Sequence, residues 1–292
     1  MNGNLGRDRL WNQQIWSDID NAVRDEVGRI RVAQKVFPCT LVPNWQQVPK
    51  DQLSTSASNI LKIEDGQTKP FVEIWVEFSL TQSQVENEEN LHTGRTLARM
   101  AANKIAAAED TLLFRGKARA VGALKTMSGK SPLVQEVNAD SLGEGFLGAD
   151  TGTGALPFLQ VAPTSAKPYD LVDKVAAGIA KLTNAQHYGP YALFLPAKRF
   201  ADASTPLSGT TVTPGDRITP LVPGGFHGTG CLPDDDGLLV SLGGEPTTIY
   251  LGIDATTAFT QIEPNGIYRF RVFERFQVVE RDSAAFLRLK FA

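Results

Sequence analysis

Cysteine and histidine are scarce in this chain, and their scarcity restricts the chemistry that we expect of it. Cys39 and Cys231 are the only cysteines among 292 residues. They offer no disulfide framework, so we expect a reduced, cytoplasmic setting. Only three histidines are present, and none belongs to the closely spaced pair of a zinc-binding helix. A Gly-Thr-Gly segment separates His227 from Cys231 and disfavours a helix there, so we expect no metal site.

Long apolar runs and a strong net charge are also missing. No apolar run approaches the roughly 20 residues that span a bilayer, so we expect no membrane partner. The polar segment Met1 to Arg9 lacks the apolar core of a secretory signal. A net charge of −3 gives no general electrostatic case for binding nucleic acid. A chain of 292 residues is long for one core and short for two full domains, which predicts two interleaved subdomains.

Three motifs suggest catalysis or ligand binding, and the surrounding sequence argues against each. Gly143 to Gly148 matches G-x-G-x-x-G, but further glycines follow where a dinucleotide site needs a helix start, so we interpret it as a loop. Gly129 to Ser131 resembles the end of a P-loop, but Leu124 occupies the position of its first glycine. Asp234 to Gly237 lacks the further ligands of a calcium loop. We therefore assign no catalytic residue and no cofactor.

The clearest structural pattern lies between Pro70 and Leu124. From Val72 to Leu80 apolar residues alternate with polar ones, which predicts a half-buried strand. From about Leu91 to Phe114 apolar residues recur at helical spacing, and Gly116 stands where a helix stop is expected. The apolar positions of this predicted helix are Leu97, Met100, Ala101, Ile105, Ala108 and Leu112.

Helical spacing also predicts an amphipathic helix from Leu10 to Val36, which Pro38 ends. The segment Ile60 to Ile63 is predicted to form one arm of a long hairpin. Further along the chain, a helix beginning at Asp170 precedes a strand from Tyr191 to Leu195. The stretch before that helix, from Met127 to Lys167, is rich in glycine, serine and threonine, which is typical of a long loop or an insertion.

The last third of the chain is rich in predicted strands, which makes the fold class α+β. The predicted strands are Leu238 to Leu242, Thr248 to Ile253, Ile267 to Arg281 and Phe286 to Phe291. Arg269, Arg271 and Arg275 share one strand face. They could bind phosphate, but we favour pairing with acidic neighbours, because isolated charged stripes are weak evidence for a ligand.

Several short motifs resemble those of the encapsulin shell proteins in residue type, order and spacing. They are Trp16-Ser17-Asp18-Ile19-Asp20, Glu109-Asp110 with Phe114-Arg115-Gly116, Tyr188-Gly189-Pro190-Tyr191, Gly252-Ile253-Asp254, Phe273-Glu274-Arg275-Phe276 and Leu287 to Phe291. The resemblance implies the α+β fold of tailed-phage major capsid proteins (HK97-like), with a peripheral domain, an extended loop and an axial domain.

The same resemblance implies a domain organisation. Residues 1–47 would form an N-terminal helix and arm, and residues 48–69 the extended loop that reaches a neighbouring subunit. Residues 70–171 and 242–292 would form the peripheral domain, with an insertion at about 137–167. Residues 172–241 would form the axial domain.

The function that the resemblance implies is a self-assembling icosahedral shell, a cytoplasmic nanocompartment that encloses a cargo protein bearing a C-terminal targeting tail. One alternative is a phage or prophage major capsid protein that encloses DNA in a virion. A less favoured alternative is a nucleotide-binding enzyme built on the glycine-rich loop.

Two sites follow from the resemblance. Cargo docking would involve Trp16, Ile19, Ile30 and Val36, although Gln34 and Pro38 depart from the basic and acidic residues that many members carry near this groove. Ser83 stands roughly where some members have a flavin-stacking tryptophan, so we expect no flavin. A pore loop at the five-fold axis would contain Asn184, Gln186, His187 and Tyr188.

Overall fold

The computed structural model describes residues 5–55, 61–64, 66–128, 133–151, 157–162, 169–206, 209 and 211–292. The helices are α1 (Gln13–Ile30), α2 (Ala33–Val36), α3 (Gln82–Glu86), α4 (Glu88–Leu91), α5 (Thr93–Ser128), α6 (Asp170–Asn184), α7 (Ala197–Ala203) and α8 (Pro214–Ile218). Short 3-10 turns lie at Arg7–Arg9, Ala139–Leu142, Phe146–Thr151, Thr219–Leu221 and Ser283–Ala285. Within these residues no helix is both long enough and apolar enough to cross a membrane.

The strands of the described residues form two five-stranded sheets and two two-stranded sheets. They are β1 (Cys39–Leu41), β2 (Gln47–Pro49), β3 (Gln52–Thr55), β4 (Leu61–Glu64), β5 (Thr68–Pro70), β6 (Val72–Leu80), β7 (Val134–Val137), β8 (Leu159–Val161), β9 (Tyr191–Pro196), β10 (Gly225–Thr229), β11 (Asp236–Ser241), β12 (Thr247–Ile262), β13 (Tyr268–Glu280) and β14 (Phe286–Phe291). The first sheet has the order β1-β12-β13-β6-β7, and the second has the order β10-β9-β11-β14-β8. In the two-stranded sheets, β2 pairs with β5 and β3 pairs with β4. The mixture of helices with these sheets confirms the α+β class.

The first sheet carries the main core. On β6, Val72, Ile74, Val76 and Leu80 are buried, as the alternation predicts. Helices α1 and α5 cover this sheet, and their apolar faces join one cluster of buried residues with β13. The cluster continues into the second sheet through Phe194, whose ring lies 5.7 Å from that of Phe37. The two sheets therefore share this cluster, while the opposite face of the second sheet packs with α6 in a separate cluster that includes Leu193 and Leu239.

Two predicted helices differ from the observed ones. The predicted helix from Leu10 to Val36 is broken after Ile30, and the chain resumes as the short helix α2. Helix α5 has non-helical backbone angles at Gly116, as the expected stop requires, but helix continues beyond it to Ser128. Met100 was predicted on the apolar stripe of α5, yet 61% of it is exposed. Alanines at 101 and 102 fill the face that packs on the core, so a long side chain at 100 points away.

The arginine stripe of β13 is explained largely by ion pairs. Arg269 pairs with Glu263 at 2.5 Å, and Arg271 pairs with Glu73 at 3.2 Å across to β6. Arg275 instead lies over the Phe71 ring, at 5.3 Å from its centroid. Arg269 and Arg271 therefore pair with acidic neighbours, as we favoured, whereas Arg275 contacts an aromatic ring.

The division into peripheral and axial domains stays a prediction. The closing strand β14 pairs with β11 and β8, so it lies in the second sheet with strands from 191–241. The predicted boundaries place it apart from that segment, and the shared core makes the two parts interlock. Of the predicted hairpin arm at Ile60 to Ile63, the residues from Leu61 onward lie in β4, which pairs with β3 in antiparallel register, and Ile60 lies outside the described residues.

Candidate functional site

Helix α1 is held against the core by its aromatic end. The Asn12 side chain caps the helix by accepting a hydrogen bond from the Ile15 amide at 2.9 Å. Trp16 is 4% exposed and lies edge-on to Trp11, with ring centroids 4.9 Å apart. Trp11 in turn stacks on Phe270 of β13 at 5.1 Å. The helix is thereby fixed to the first sheet.

Two of the four predicted cargo contacts are buried in the chain itself, and cargo docking stays a prediction for all four. Trp16 and Ile19 lie at the base of surface cavities, but they expose only 4% and 1% of their area, because both belong to the core. A side chain buried in its own core has little surface left for a partner. Ile30 and Val36 are half-buried and stay candidates for cargo contact.

Asp110 of α5 accepts backbone hydrogen bonds at the break between α1 and α2. The amides of Val32 and Ala33 donate to the two carboxylate oxygens of Asp110 at 2.7 and 3.1 Å. These are backbone donors that the interrupted helix would leave without a partner. Burial and the neighbouring Glu109 raise the pKa of Asp110 to about 7, against the lowering effect of the two amides.

Arg31 stands at the same break and binds three carboxylates. Its Nε lies 2.5 Å from Glu109, its Nη2 lies 2.6 Å from Glu274 and its Nη1 lies 2.9 Å from Asp254. Arg31 is 4% exposed, and Glu109 and Glu274 are fully buried. Burial raises the pKa of both glutamates, while the guanidinium acts in the opposite direction. Gln34 completes the cluster by donating to Glu109 at 2.6 Å.

The acidic residues of the motifs that carry the resemblance meet in this cluster. Glu109, Asp110, Asp254 and Glu274 come from three separate motifs, and the fold brings them together around the α1–α2 break. The sequence analysis missed Arg31 at their centre. A usable signal was present, because several carboxylates in otherwise buried segments require a cation.

Two surface cavities lie end to end along one face of α1. The first has a volume of about 520 Å³ and is lined by Arg7, Asp8, Trp11, Gln13, Trp16, Ser17, Asp20, Asn21 and Arg24. The second has a volume of about 270 Å³ and is lined by Arg24, Val27, Gly28, Arg31, Gln34, Lys35 and Asp254. Arg24 belongs to both, so we call the two cavities together the α1 groove.

The charges of the α1 groove are only partly compensated. Arg7 makes a two-pronged ion pair with Asp20 at 2.6 and 2.7 Å, and Asp254 pairs with Arg31. Arg24 donates to the Asn21 side chain at 3.0 Å, and Lys35 donates to the Arg29 carbonyl at 3.0 Å. Among the described residues, no carboxylate forms an ion pair with either Arg24 or Lys35.

The predicted pore loop follows α6 and is partly exposed. Asn184 and Gln186 are exposed, and Tyr188 is 61% exposed. The side chain of His187 is only 16% exposed, and its backbone amide donates to the Leu182 carbonyl at 2.9 Å. Its Nδ1 lies 3.6 Å from Asp282. Tyr188 is therefore the most prominent side chain of this loop, rather than His187.

The weak ligand motifs that lie within the described residues take part in packing or in ion pairs. Gly143 and Gly145 pack against Gly116 of α5, where a Cβ at Gly145 would lie 2.4 Å from the Gly116 nitrogen. Gly129 to Ser131 lie outside the described residues. Asp235 and Asp236 pair with Lys290. Across the described ranges, no cluster of three or more histidines, cysteines or acids is arranged to hold a metal ion.

A protein-family comparison identifies the chain. Residues 5–149 and 153–277 match the family described as encapsulating protein for peroxidase. The chain belongs to the encapsulin family. Membership makes it a self-assembling shell protein, as the motifs implied. No curated protein sequence matches it significantly.

Solved structures with the same architecture are shells and capsids. The virus-like particle from Pyrococcus furiosus is 14% identical, with a TM-score of 0.68 over 94% of this chain and 99% of that one. The capsid of an empty GTA particle is 16% identical, with a TM-score of 0.57 over 89% of both chains. The holo-SrpI encapsulin complex from Synechococcus elongatus is 11% identical, with a TM-score of 0.55 over 88% of this chain and 85% of that one. The predicted fold of tailed-phage capsid proteins is confirmed.

Proposed function

We propose that the shell built by this chain is a closed icosahedral nanocompartment that encloses a cargo protein, and that the cargo bears a C-terminal tail which lies in the α1 groove. The family description, an encapsulating protein for peroxidase, supports a cargo protein as the content. The observation that carries the docking site is the α1 groove itself, two cavities that share Arg24 along a helix that is otherwise fixed to the core. Ile30 and Val36, the half-buried members of the predicted cargo contacts, line neither of these two cavities.

The role that we propose is structural and not enzymatic. Its support is membership of a shell-protein family together with the use of the buried ionisable residues as ties between elements. Asp110, Glu109 and Glu274 bind backbone amides or Arg31, and none faces an open cavity. We further propose a cytoplasmic location, which suits a shell with two unpaired cysteines.

A second candidate function is a phage or prophage capsid that encloses DNA. The likeness to the capsid of an empty GTA particle favours it, because that shell shares the fold over most of its length. The family description, an encapsulating protein for peroxidase, favours the protein cargo instead. The two functions differ in what the purified particle contains.

The test is the content of the particles. The protein is purified from its native host, the particles are separated by size exclusion and imaged by electron microscopy, and their content is measured by ultraviolet absorbance and mass spectrometry. We expect hollow shells of megadalton mass with one enriched protein and little nucleic acid. Deleting the last ten residues of that protein should remove it from the shell. A stable monomer of about 32 kDa would contradict assembly, and particles filled with DNA would favour the capsid.

A further inference from the structure

The carboxylates around Arg31 outnumber the cations that reach them. Arg31 lies within ion-pair distance of Glu109, Glu274 and Asp254, and Asp110 adds a fourth carboxylate beside Glu109. Among the described residues, no cation other than Arg31 forms an ion pair with any of the four. If all four were ionised, a single positive charge would face four negative ones.

Burial makes this imbalance costly for three of the four groups. Glu109, Asp110 and Glu274 are fully buried, whereas the side chain of Asp254 is 44% exposed, so that water can compensate its charge. Oε2 of Glu274 is buried and accepts no hydrogen bond from any described residue. A buried carboxyl group without sufficient compensation binds a proton rather than stay charged.

The other ionisable groups around the cluster do not supply the missing positive charge. Burial raises the pKa of the Cys39 thiol on β1 to about 11 and also raises the pKa of the Cys231 thiol, so both stay neutral near pH 7. Arg24 and Lys35 line the cavity at the exposed rim of the cluster. They donate to the Asn21 side chain and to a backbone carbonyl instead. The compensation that remains is the binding of protons.

The cluster lies at the break between α1 and α2. Arg31 follows the last residue of α1, and the next two amides, those of Val32 and Ala33, donate to Asp110. The other end of α1 has its own attachment to the core, because Trp11 stacks on Phe270. The break can therefore open without release of the whole helix. Opening would bring the buried carboxyl groups into water, where their pKa returns to about 4 and they release their protons.

We propose that this cluster is a proton-dependent switch, in which at least one buried carboxyl group carries a proton at neutral pH and the loss of that proton at higher pH opens the α1–α2 break while the rest of the chain stays folded. The direction follows from linkage. Burial raises the pKa of Glu109, Glu274 and Asp110 in the closed state, so the closed state is favoured at low pH and loses this advantage as the pH rises. The inference goes beyond the proposed shell function and does not depend on a cargo.

The test is hydrogen–deuterium exchange of the assembled shells at pH 6, 7 and 8, measured by mass spectrometry on the peptide that contains Val32 and Ala33. Labelling times are scaled so that the chemical exchange rate is matched at each pH and only the opening equilibrium differs. Strand β9, which is buried along its whole length, reports the opening of the fold as a whole. Each proton released on opening lowers the protection of the two amides by up to about tenfold per pH unit.

We expect the protection of Val32 and Ala33 to fall by about tenfold or more between pH 6 and pH 8. Strand β9 should keep its protection, and the particles should stay intact by electron microscopy. Equal protection of the two amides at the three pH values would overturn the inference. A parallel loss of protection in β9 would also overturn it, because the fold would then open as a whole.

Variants tie the effect to the cluster. Glu274→Gln and Asp110→Asn each remove one buried acid, and at least one of them should reduce the fall in protection by about threefold or more. Glu77→Gln is the matched control, because Glu77 lies on β6 with its side chain 50% exposed, and it should show the wild-type fall. A full fall in both cluster variants would place the titrating group elsewhere and overturn the inference.

A second measurement does not require either cluster variant to fold. The infrared absorption of protonated carboxyl groups is recorded at pH 7 on the Glu280→Gln protein, because Glu280 is another buried carboxyl group with a raised pKa. Exposed carboxyl groups are ionised at this pH, so a carboxylic acid band would come from buried groups. We expect this band to be present. Its absence would show that the cluster holds no proton and would overturn the inference.

Discussion

The Nε atom of Arg31 lies 2.5 Å from Oε2 of Glu109, and both side chains are almost completely buried. The same guanidinium reaches Glu274, which is fully buried on β13. Arg31 therefore ties the end of α1 to α5 and to the first sheet at once. Charges in such a place are costly to separate, because a buried ion that loses its partner keeps its desolvation penalty.

Removing this guanidinium should strongly destabilise the fold. We expect Arg31→Met to lower the free energy of unfolding by about 3–5 kcal/mol, since Glu109 and Glu274 would lose their cation. The measurement is guanidinium-induced unfolding followed by tryptophan fluorescence at one fixed protein concentration. Arg29→Ala is the control, because Arg29 is 68% exposed and its ion pair with Glu26 should contribute about 1 kcal/mol or less. Adding Glu109→Gln and Glu274→Gln to Arg31→Met should restore part of the loss; no restoration would contradict the charge argument.

The pH dependence of stability should contain a contribution from Asp110. Its pKa is about 7 in the fold against 3.8 ordinarily, so the folded state holds the proton over a range in which the unfolded state has lost it. Stability from this group is therefore complete below about pH 4 and declines as pH rises to about 7, at up to about 1.4 kcal/mol per pH unit. Asp110→Asn cannot titrate and should lack this slope.

The comparison requires a control for other carboxyls in the same range. Glu280 also has a pKa raised to about 7 by burial, against the effect of Lys69. The variant Glu280→Gln should keep the slope that is due to Asp110. Unfolding midpoints at pH 4, 5.5, 7 and 8 separate the two. Parallel curves for wild type and Asp110→Asn would mean that Asp110 stays ionised, held so by the Val32 and Ala33 amides.

The sequence predicts elements with regular patterns well and the buried charge cluster poorly. The alternation of Val72 to Leu80 and the helical spacing before Gly116 lead directly to β6 and to the first part of α5. The strand predicted at Thr248 to Ile253 is in fact β12, which extends to Ile262. Register shifts after Leu251, Ile253 and Phe259 interrupt its alternation, and a pattern of period two cannot show a bulged strand.

The role of Arg31 as the partner of three carboxylates could not be predicted from the sequence, for a different reason. A single arginine after an apolar stripe is ordinarily an exposed residue of a helix end. Its partners lie 78, 223 and 243 residues further along the chain, at Glu109, Asp254 and Glu274. Only the packing of α1 on α5 and the first sheet brings them together. The α1 groove was missed for the same reason, because packing also brings its lining residues together from α1, α2 and β12.

Gly116 should tolerate no side chain. Its φ is +65°, and a Cβ there would lie 2.2 Å from the Gly143 carbonyl oxygen and 2.5 Å from the Glu144 carbonyl carbon. Gly116→Ala should therefore prevent soluble expression or lower stability by more than about 3 kcal/mol. Gly244→Ala is the control, since Gly244 has a φ of +78° and open space around it, and it should cost only about 1–2 kcal/mol. Similar stability of the two variants would show that Glu144 and Gly143 move away.

Tyr188 should control passage through the proposed pore more than His187. Tyr188 is 61% exposed, whereas His187 faces Asp282 at 3.6 Å. We expect Tyr188→Ala shells to take up a small anion such as iodide faster than wild type at pH 5.5 and 7.5. His187→Ala shells should take up iodide at the wild-type rate, because the His187 side chain is only 16% exposed and faces Asp282. Stopped-flow quenching of an encapsulated dye measures both, and wild-type rates for Tyr188→Ala would exclude the loop from the pore.

The hairpin of β3 and β4 should be needed for assembly and not for folding. Among the described strands its two strands pair only with each other, and Ile63 is 52% exposed within the chain. An isolated two-stranded hairpin is marginally stable in water, so we expect it to be ordered by a neighbouring subunit. Deleting residues 54–63 should give a soluble, cooperatively folded chain that elutes as a small species on size exclusion. Ile63→Asp should weaken assembly without changing the far-ultraviolet circular dichroism. Ile262→Asp is the matched control, because Ile262 is 53% exposed and lies on β12, outside the extended loop. Intact shells from the deletion would show that neighbouring subunits meet through other surfaces.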